Sequence, residues 1–154
     1  MIKGIGIDTT RISRIEKMVN TLTDGALGRL FTEAELSEAA NRGGAASYEY
    51  LATRFAAKEA VFKALAPLTE KKRFDLRMVE TLNTPDGAPY VNPIYKSLQG
   101  EKLDSILQET GVTALHISMT TEGDYATAFV IAEGIDSPSG ISPALAIITP
   151  PRAQ

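Results

Sequence analysis

The sequence predicts an α+β fold in which an antiparallel sheet packs against helices. Three observations predict it. Segments with helical spacing cluster between residues 10 and 65, whereas segments with twofold alternation gather mostly after residue 76. The later strands come in pairs around tight turns at 85–87 and 122–124, which makes them hairpins and therefore antiparallel. A chain of 154 residues is the size of one core rather than two.

Residues 2–7 alternate β-branched side chains with Lys3 and two glycines, then meet Asp8, Thr9 and Thr10, so a short strand ends in a turn. Ile12, Ile15, Val19 and Leu22 follow at helical spacing with Arg11, Arg14 and Lys17 beside them, giving an amphipathic helix with one basic flank. Thr32 with Glu35 three positions later has capping-box spacing, so a second helix starts there and stops at Asn41-Arg42-Gly43-Gly44. Residues 48–65 carry Leu51, Phe55, Phe62 and Leu65 on one stripe and end before Pro67, which marks the longest helix.

Residues 76–82 alternate polar and apolar, and Pro85-Asp86-Gly87 turns the chain into Pro89-Tyr90-Val91, a hairpin. Leu98, Leu103, Ile106 and Leu107 mark another helix that Gly111 ends. Residues 112–119 and 125–132 are strands flanking Glu122-Gly123-Asp124. The predicted order is β-α-α-α-β-β-α-β-β. Residues 1–134 form the folded domain, and 135–154, rich in Pro, Ser and Gly, form a C-terminal tail whose apolar stretch 144–148 is able to pack on the body or a neighbouring chain.

Composition removes several functions. A formal charge of -3 gives no basic surplus for displacing phosphate counterions, which argues against a nucleic-acid binder. The chain has no cysteine, so disulfides, thiolate zinc sites and cysteine nucleophiles are excluded. MIKGIGID lacks the charged-then-apolar signal pattern, and no apolar run nears the ~20 residues that span a bilayer. The expectation is a cytoplasmic protein without membrane contact.

Four groups of residues carry possible chemistry. Asp8 follows a strand whose glycines permit close approach of backbone or ligand; it suits a helix N-cap or a metal ligand. Glu59 and Lys63 are four apart and share a helix face, either as a solvated ion pair or as a metal oxygen beside a phosphate-binding ammonium. His116, Ser118 and Thr120 project from one side of a strand and form a polar row suited to water or a ligand, while one histidine without cysteine argues against zinc. Arg11, Arg14 and Lys17 form either a solvated flank or a docking stripe for an acidic partner.

Taken together, Gly4-Ile5-Gly6-Ile7-Asp8 with Arg14-Ile15, and Arg54-Phe55-Ala56-Ala57-Lys58-Glu59-Ala60 with Lys63, resemble the two signature motifs of the holo-acyl-carrier-protein synthases. Asp86-Gly87-Ala88-Pro89 is similar to that family's G-x-P turn, and His116-Ile117-Ser118-Met119-Thr120 to its H-x-S-[IL]-[ST] strand. Many members have a second histidine where this chain has Thr121.

The resemblance implies a 4′-phosphopantetheinyl transferase-like fold, a homotrimer with sites between subunits, and transfer of the phosphopantetheine arm of coenzyme A to a serine of apo acyl carrier protein. It implies magnesium held by Asp8 and Glu59, with Asp8, Glu59 and Lys63 as the catalytic set. It assigns coenzyme A contacts to Arg54, Lys58, Lys63, Pro89, His116, Ser118 and Thr120, and carrier-protein contacts to Arg11, Arg14 and Lys17. Thr110-Gly111-Val112-Thr113 resembles transferase domains attached to large type I fatty acid synthases, so a carrier domain of such a synthase is a second expected substrate. Two other readings compete: a non-catalytic carrier-binding module, and a magnesium-dependent nucleotide pyrophosphatase.

Overall fold

The computed structural model describes residues 1–69, 74–92 and 102–135. In chain order these form β1 (Ile2–Arg11), α1 (Ile12–Thr21), α2 (Asp24–Leu27), α3 (Glu33–Arg42), α4 (Gly44–Leu65), β2 (Glu80–Asn83), β3 (Pro89–Asn92), α5 (Leu103–Thr110), β4 (Val112–Glu122) and β5 (Tyr125–Gly134). The expected helix start at Leu98 and the expected tail beyond Ile135 lie outside the described residues. The fold is the α+β arrangement the pattern predicts.

β1, β5 and β4 form an antiparallel sheet in that order, and β2 with β3 forms a separate hairpin. One face of the sheet lies on α4. Ala128, Val130 and Ala132 of β5 point inward and are fully buried in one cluster with Ala57, Ala60, Val61 and Ala64 of the helix, while Ala126 is buried in a second cluster with Leu51, Ala52 and Phe55. Small residues on both surfaces let strand and helix backbones come close. The closest approach is at β1, where a Cβ on Gly4 would lie 2.0 Å from the Ala64 carbonyl oxygen and one on Gly6 1.9 Å from that of Ala60. Glycine is needed at both positions because any side chain would push β1 off α4.

Several boundaries differ from the expectation, each for a physical reason. β1 continues to Arg11 because β5 pairs with it throughout, from Gly4↔Ala132 to Arg11↔Tyr125, and this pairing overrides the local turn signal at Asp8. Asp8 consequently sits within the strand and does not cap α1. That cap comes from Asp124 in the β4–β5 turn, which accepts hydrogen bonds from the Ser13 backbone N–H at 2.8 Å and the Ser13 hydroxyl at 2.7 Å. Residues 76–78 form a 3-10 turn initiated by Asp75 rather than strand, and β2 begins only at Glu80. The capping box at Thr32 and Glu35 is formed as the spacing predicts.

α4 is enclosed on nearly every side between Tyr50 and Leu65, which buries two of its cations, Arg54 and Lys58. Lys58 is wholly inaccessible; its ammonium pairs with the Glu35 carboxylate at 2.8 Å and donates to the Leu76 and Val79 carbonyls. Burial lowers the Lys58 pKa, and Glu35, Glu80 and Asp75 oppose that shift. Removing one partner of such a buried pair typically costs about 3–5 kcal/mol, because the other charge is left uncompensated. Lys58 therefore belongs to the core, and its expected role as a coenzyme A contact is corrected: a buried ammonium with its donors engaged has no access to a ligand.

Candidate active site

Gly4, Gly6 and Asp8 alternate along β1 and so share the face that meets α4. The glycines bring the strand onto the helix backbone, and Asp8, next in the row, lands beside the helix turn that carries Glu59 and Lys63. The Lys63 ammonium lies 2.7 Å from Asp8 Oδ1 and donates at 3.0 Å to the Ile7 carbonyl. Thr10 donates to the other carboxylate oxygen of Asp8 at 3.2 Å. Lys63 thus pairs across to the strand. With the Lys63 side chain 48% exposed, that contact contributes about 1 kcal/mol or less to stability.

Glu59 is half-buried and its pKa is raised, first by burial and then by the neighbouring Asp8 carboxylate, while Lys63 and Arg14 pull it down. Two carboxylates therefore lie near enough to act on each other, with Lys63 and Arg14 as the cations beside them. Arg14, from α1, also stacks its guanidinium over the Phe55 ring, 5.7 Å from the centroid. Arg14 thereby brings α1 to this carboxylate pair; it and Lys17 are exposed, as is Arg11, which the structure places at the end of β1 rather than in the helix.

About five residues earlier on α4, Arg54 forms the wall of a cavity of about 300 Å³ whose rim includes Asn83, Gly87, Pro89, Thr120 and Thr121. Arg54 is 2% exposed, and among the described residues no carboxylate ion-pairs with it. It donates to the Asn83 side-chain oxygen and lies 4.1 Å from the Tyr50 ring centroid, while its Nε has no hydrogen-bond partner. Arg42 stacks on the same ring at 4.6 Å. Glu49 also lines the cavity, but it accepts from Thr121 and does not pair with Arg54, and a buried cation without a carboxylate partner is suited to an anionic ligand.

The remaining expected residues are placed elsewhere. His116, Ser118 and Thr120 do form one exposed row, but on the sheet face opposite Asp8: Asp8 pairs with inward Ala128, whereas Ser118 pairs with outward Phe129. His116 Nε2 lies 2.7 Å from a Glu133 carboxylate oxygen on that outer face. Within one chain the structure unites Asp8, Glu59 and Lys63, unites Arg54 with Pro89 and Thr120, and separates His116 and Ser118 from the carboxylates. Thr121 points inward and donates to Glu49 at 2.5 Å.

Asn83, Tyr50 and Arg42 join the cavity without having been singled out from the sequence. Tyr50 and Arg54 are four apart on a helix, a spacing that places an aromatic ring beside a guanidinium and offers a usable signal. Asn83 offers none, since its role depends on where the hairpin docks.

A family model described as the 4′-phosphopantetheinyl transferase superfamily matches residues 4–130. The holo-[acyl-carrier-protein] synthase of Desulforudis audaxviator is 40% identical over 134 residues, covering 87% of this chain and 95% of that protein. That of Halothermothrix orenii is 34% identical over 133 residues, covering 86% and 98%. The solved holo-[acyl-carrier-protein] synthase of Neisseria meningitidis superposes with a TM-score of 0.70 at 32% identity, over 86% of this chain and 99% of that one. The Bacillus anthracis synthase, solved in complex with CoA (3′,5′-ADP), gives 0.64 at 32% identity, over 88% and 99%.

Proposed function

This chain belongs to the 4′-phosphopantetheinyl transferase superfamily, and from that premise we infer that it is a holo-[acyl-carrier-protein] synthase, moving 4′-phosphopantetheine from coenzyme A to a serine of apo acyl carrier protein. The observation that carries the reading is one helix, α4, presenting a carboxylate cluster at Glu59 and an anion-receptive arginine cavity at Arg54. Coenzyme A offers groups for both: a pyrophosphate at its centre and a phosphorylated nucleoside at its end.

In the transfer, the carrier serine oxygen bonds to the β-phosphorus of coenzyme A. The bond from that phosphorus to the bridging pyrophosphate oxygen breaks, and adenosine 3′,5′-bisphosphate leaves with the electron pair. Glu59, the half-buried carboxylate, accepts the serine proton. Lys63, next to Asp8, meets the negative charge on the phosphate oxygens, and Arg54, Pro89 and Thr120 hold the nucleotide. Arg11, Arg14 and Lys17 receive the acidic carrier beside the carboxylates.

Asp8 and Glu59 also suit magnesium. Two neighbouring carboxylates, one of them half-buried, match a cation usually held by one or two carboxylates plus substrate phosphates and waters. When bound there, magnesium supplies positive charge that offsets the pyrophosphate.

The split of site residues between two sheet faces favours an assembly in which a neighbouring copy supplies the His116 and Ser118 row. The outer face is apolar enough to be covered: Ile5 and Ile7 are 56% and 57% exposed, and Phe129 is 39% exposed. A homotrimer with sites between subunits fits both facts. The carrier is a free acyl carrier protein or a carrier domain of a fatty acid synthase.

Incubation with coenzyme A, magnesium and each apo carrier, followed by weighing the carrier, tests the proposal. A gain of one phosphopantetheine is expected. Carrier that binds without changing mass points to the non-catalytic module, and coenzyme A cleaved without any acceptor points to the pyrophosphatase; either result overturns the assignment.

A further inference from the structure

Lys58 sits in the signature stretch next to Glu59, yet a helix step of about 100° turns it away from Asp8 and into a buried polar network. That network joins three pieces of chain. From α3, Glu35 accepts the Lys58 ammonium at 2.8 Å and the Thr81 backbone N–H at 2.9 Å. From the segment leading into β2, the Leu76 and Val79 carbonyls accept from Lys58; from the hairpin itself, Glu80 accepts from the Thr32 hydroxyl at 2.6 Å and from Asn92 at 2.7 Å. β2 is therefore tied to α3 at Glu80 and Thr81, the residue just before it is tied to α4 by Lys58, and β3 joins through Asn92.

The other end of that hairpin walls the cavity. Asn83 closes β2, donates to the Gly87 carbonyl at 2.9 Å and accepts from Arg54. Arg54 and Lys58 lie one turn apart on the same face of α4. We propose that Lys58 is a positioning residue for the nucleotide end of coenzyme A: its pair with Glu35 docks the β2–β3 hairpin and so fixes Asn83, Gly87 and Pro89 against Arg54. The ligand in this statement rests on the activity proposed above; the docking does not.

Because Asp8, Glu59 and Lys63 are aligned by the glycine contacts of β1, outside this network, the two functions separate. In Lys58→Met, the KM for coenzyme A should rise about tenfold or more as buried partners lose a charged hydrogen bond, while kcat at saturating coenzyme A stays within about twofold. Glu80→Gln keeps the side-chain shape and is the milder variant, carrying the same readouts if Lys58→Met does not fold. Amide exchange across residues 80–92, measured without ligand, should accelerate in both.

Unchanged exchange in folded variants overturns the docking. Faster exchange with an unchanged KM, or a fall in kcat at constant KM, overturns the link to coenzyme A. Failure of the wild-type protein to bind coenzyme A sinks the proposed activity and the nucleotide half of the inference, whereas the exchange result still decides the docking half.

Discussion

In the proposed mechanism Glu59 both helps hold a cation and accepts a proton, and its surroundings set a pH window for each. Burial and Asp8 raise its pKa in the fold, so between the ordinary carboxylate range and the raised value the folded chain binds more protons than the unfolded one. This group's contribution to stability thus falls as pH rises through that window. Cation binding has the opposite dependence, because the ligand must be deprotonated. Magnesium binding with coenzyme A present, followed by calorimetry in buffers of different ionisation enthalpy, should release protons inside that window and none well above it. Glu59→Gln should abolish the release and lower transfer at least about a hundredfold; normal turnover with intact metal binding would assign the base elsewhere. Among single residues, the shared face of Glu59 and Lys63 was legible because helical spacing fixes it, whereas Asp8 beside them was not: its sequence signal was a turn, and only pairing with Ala128 of β5 sets it in the row that meets α4. Lys58 shows why adjacency in a motif says nothing about direction: one helix step separates the half-buried Glu59 carboxylate from a core ammonium.

The helix that bears the basic flank starts without a local cap. Asp124 reaches Ser13 from the far hairpin, and the Ile12 N–H also donates to the Asp124 carbonyl at 2.8 Å. Asp124→Ala should lower the thermal midpoint by a few degrees in differential scanning calorimetry, as loss of an N-cap does, and should weaken carrier binding through a less ordered α1. The bonds from Ser13 depress the Asp124 pKa. Its stabilisation is therefore complete above the ordinary carboxylate range and is lost as pH falls through the depressed value, so the wild-type and variant midpoints should converge in acid. A midpoint difference that persists there would mean the carboxylate is not the cap. Elements whose signals are local were readable, as with α3 and its capping box. The length of β1, the source of the α1 cap and the 3-10 turn at 76–78 were not, since each is decided by a partner distant in sequence.

At the scale of the whole molecule, the sheet has one face packed and one open, and the candidate site residues divide between them. Asp8 looks toward α4, while His116 and Ser118 look outward with Ile5, Ile7 and Phe129. A strand cannot turn one row of side chains to both faces, so a site that joins His116 and Ser118 to the Asp8 cluster must draw on two chains. Subunit complementation tests this directly. Asp8→Asn and His116→Ala should each have low activity alone. When the two are unfolded together and reassembled, a trimer whose sites each pair the Asp8 cluster of one chain with the His116 row of the next contains some sites with both native residues. Random mixing should restore about a quarter of wild-type activity, with light scattering confirming the same oligomer in every sample. Mixed oligomers that form but recover nothing would confine the site to one chain and leave the open face to assembly alone.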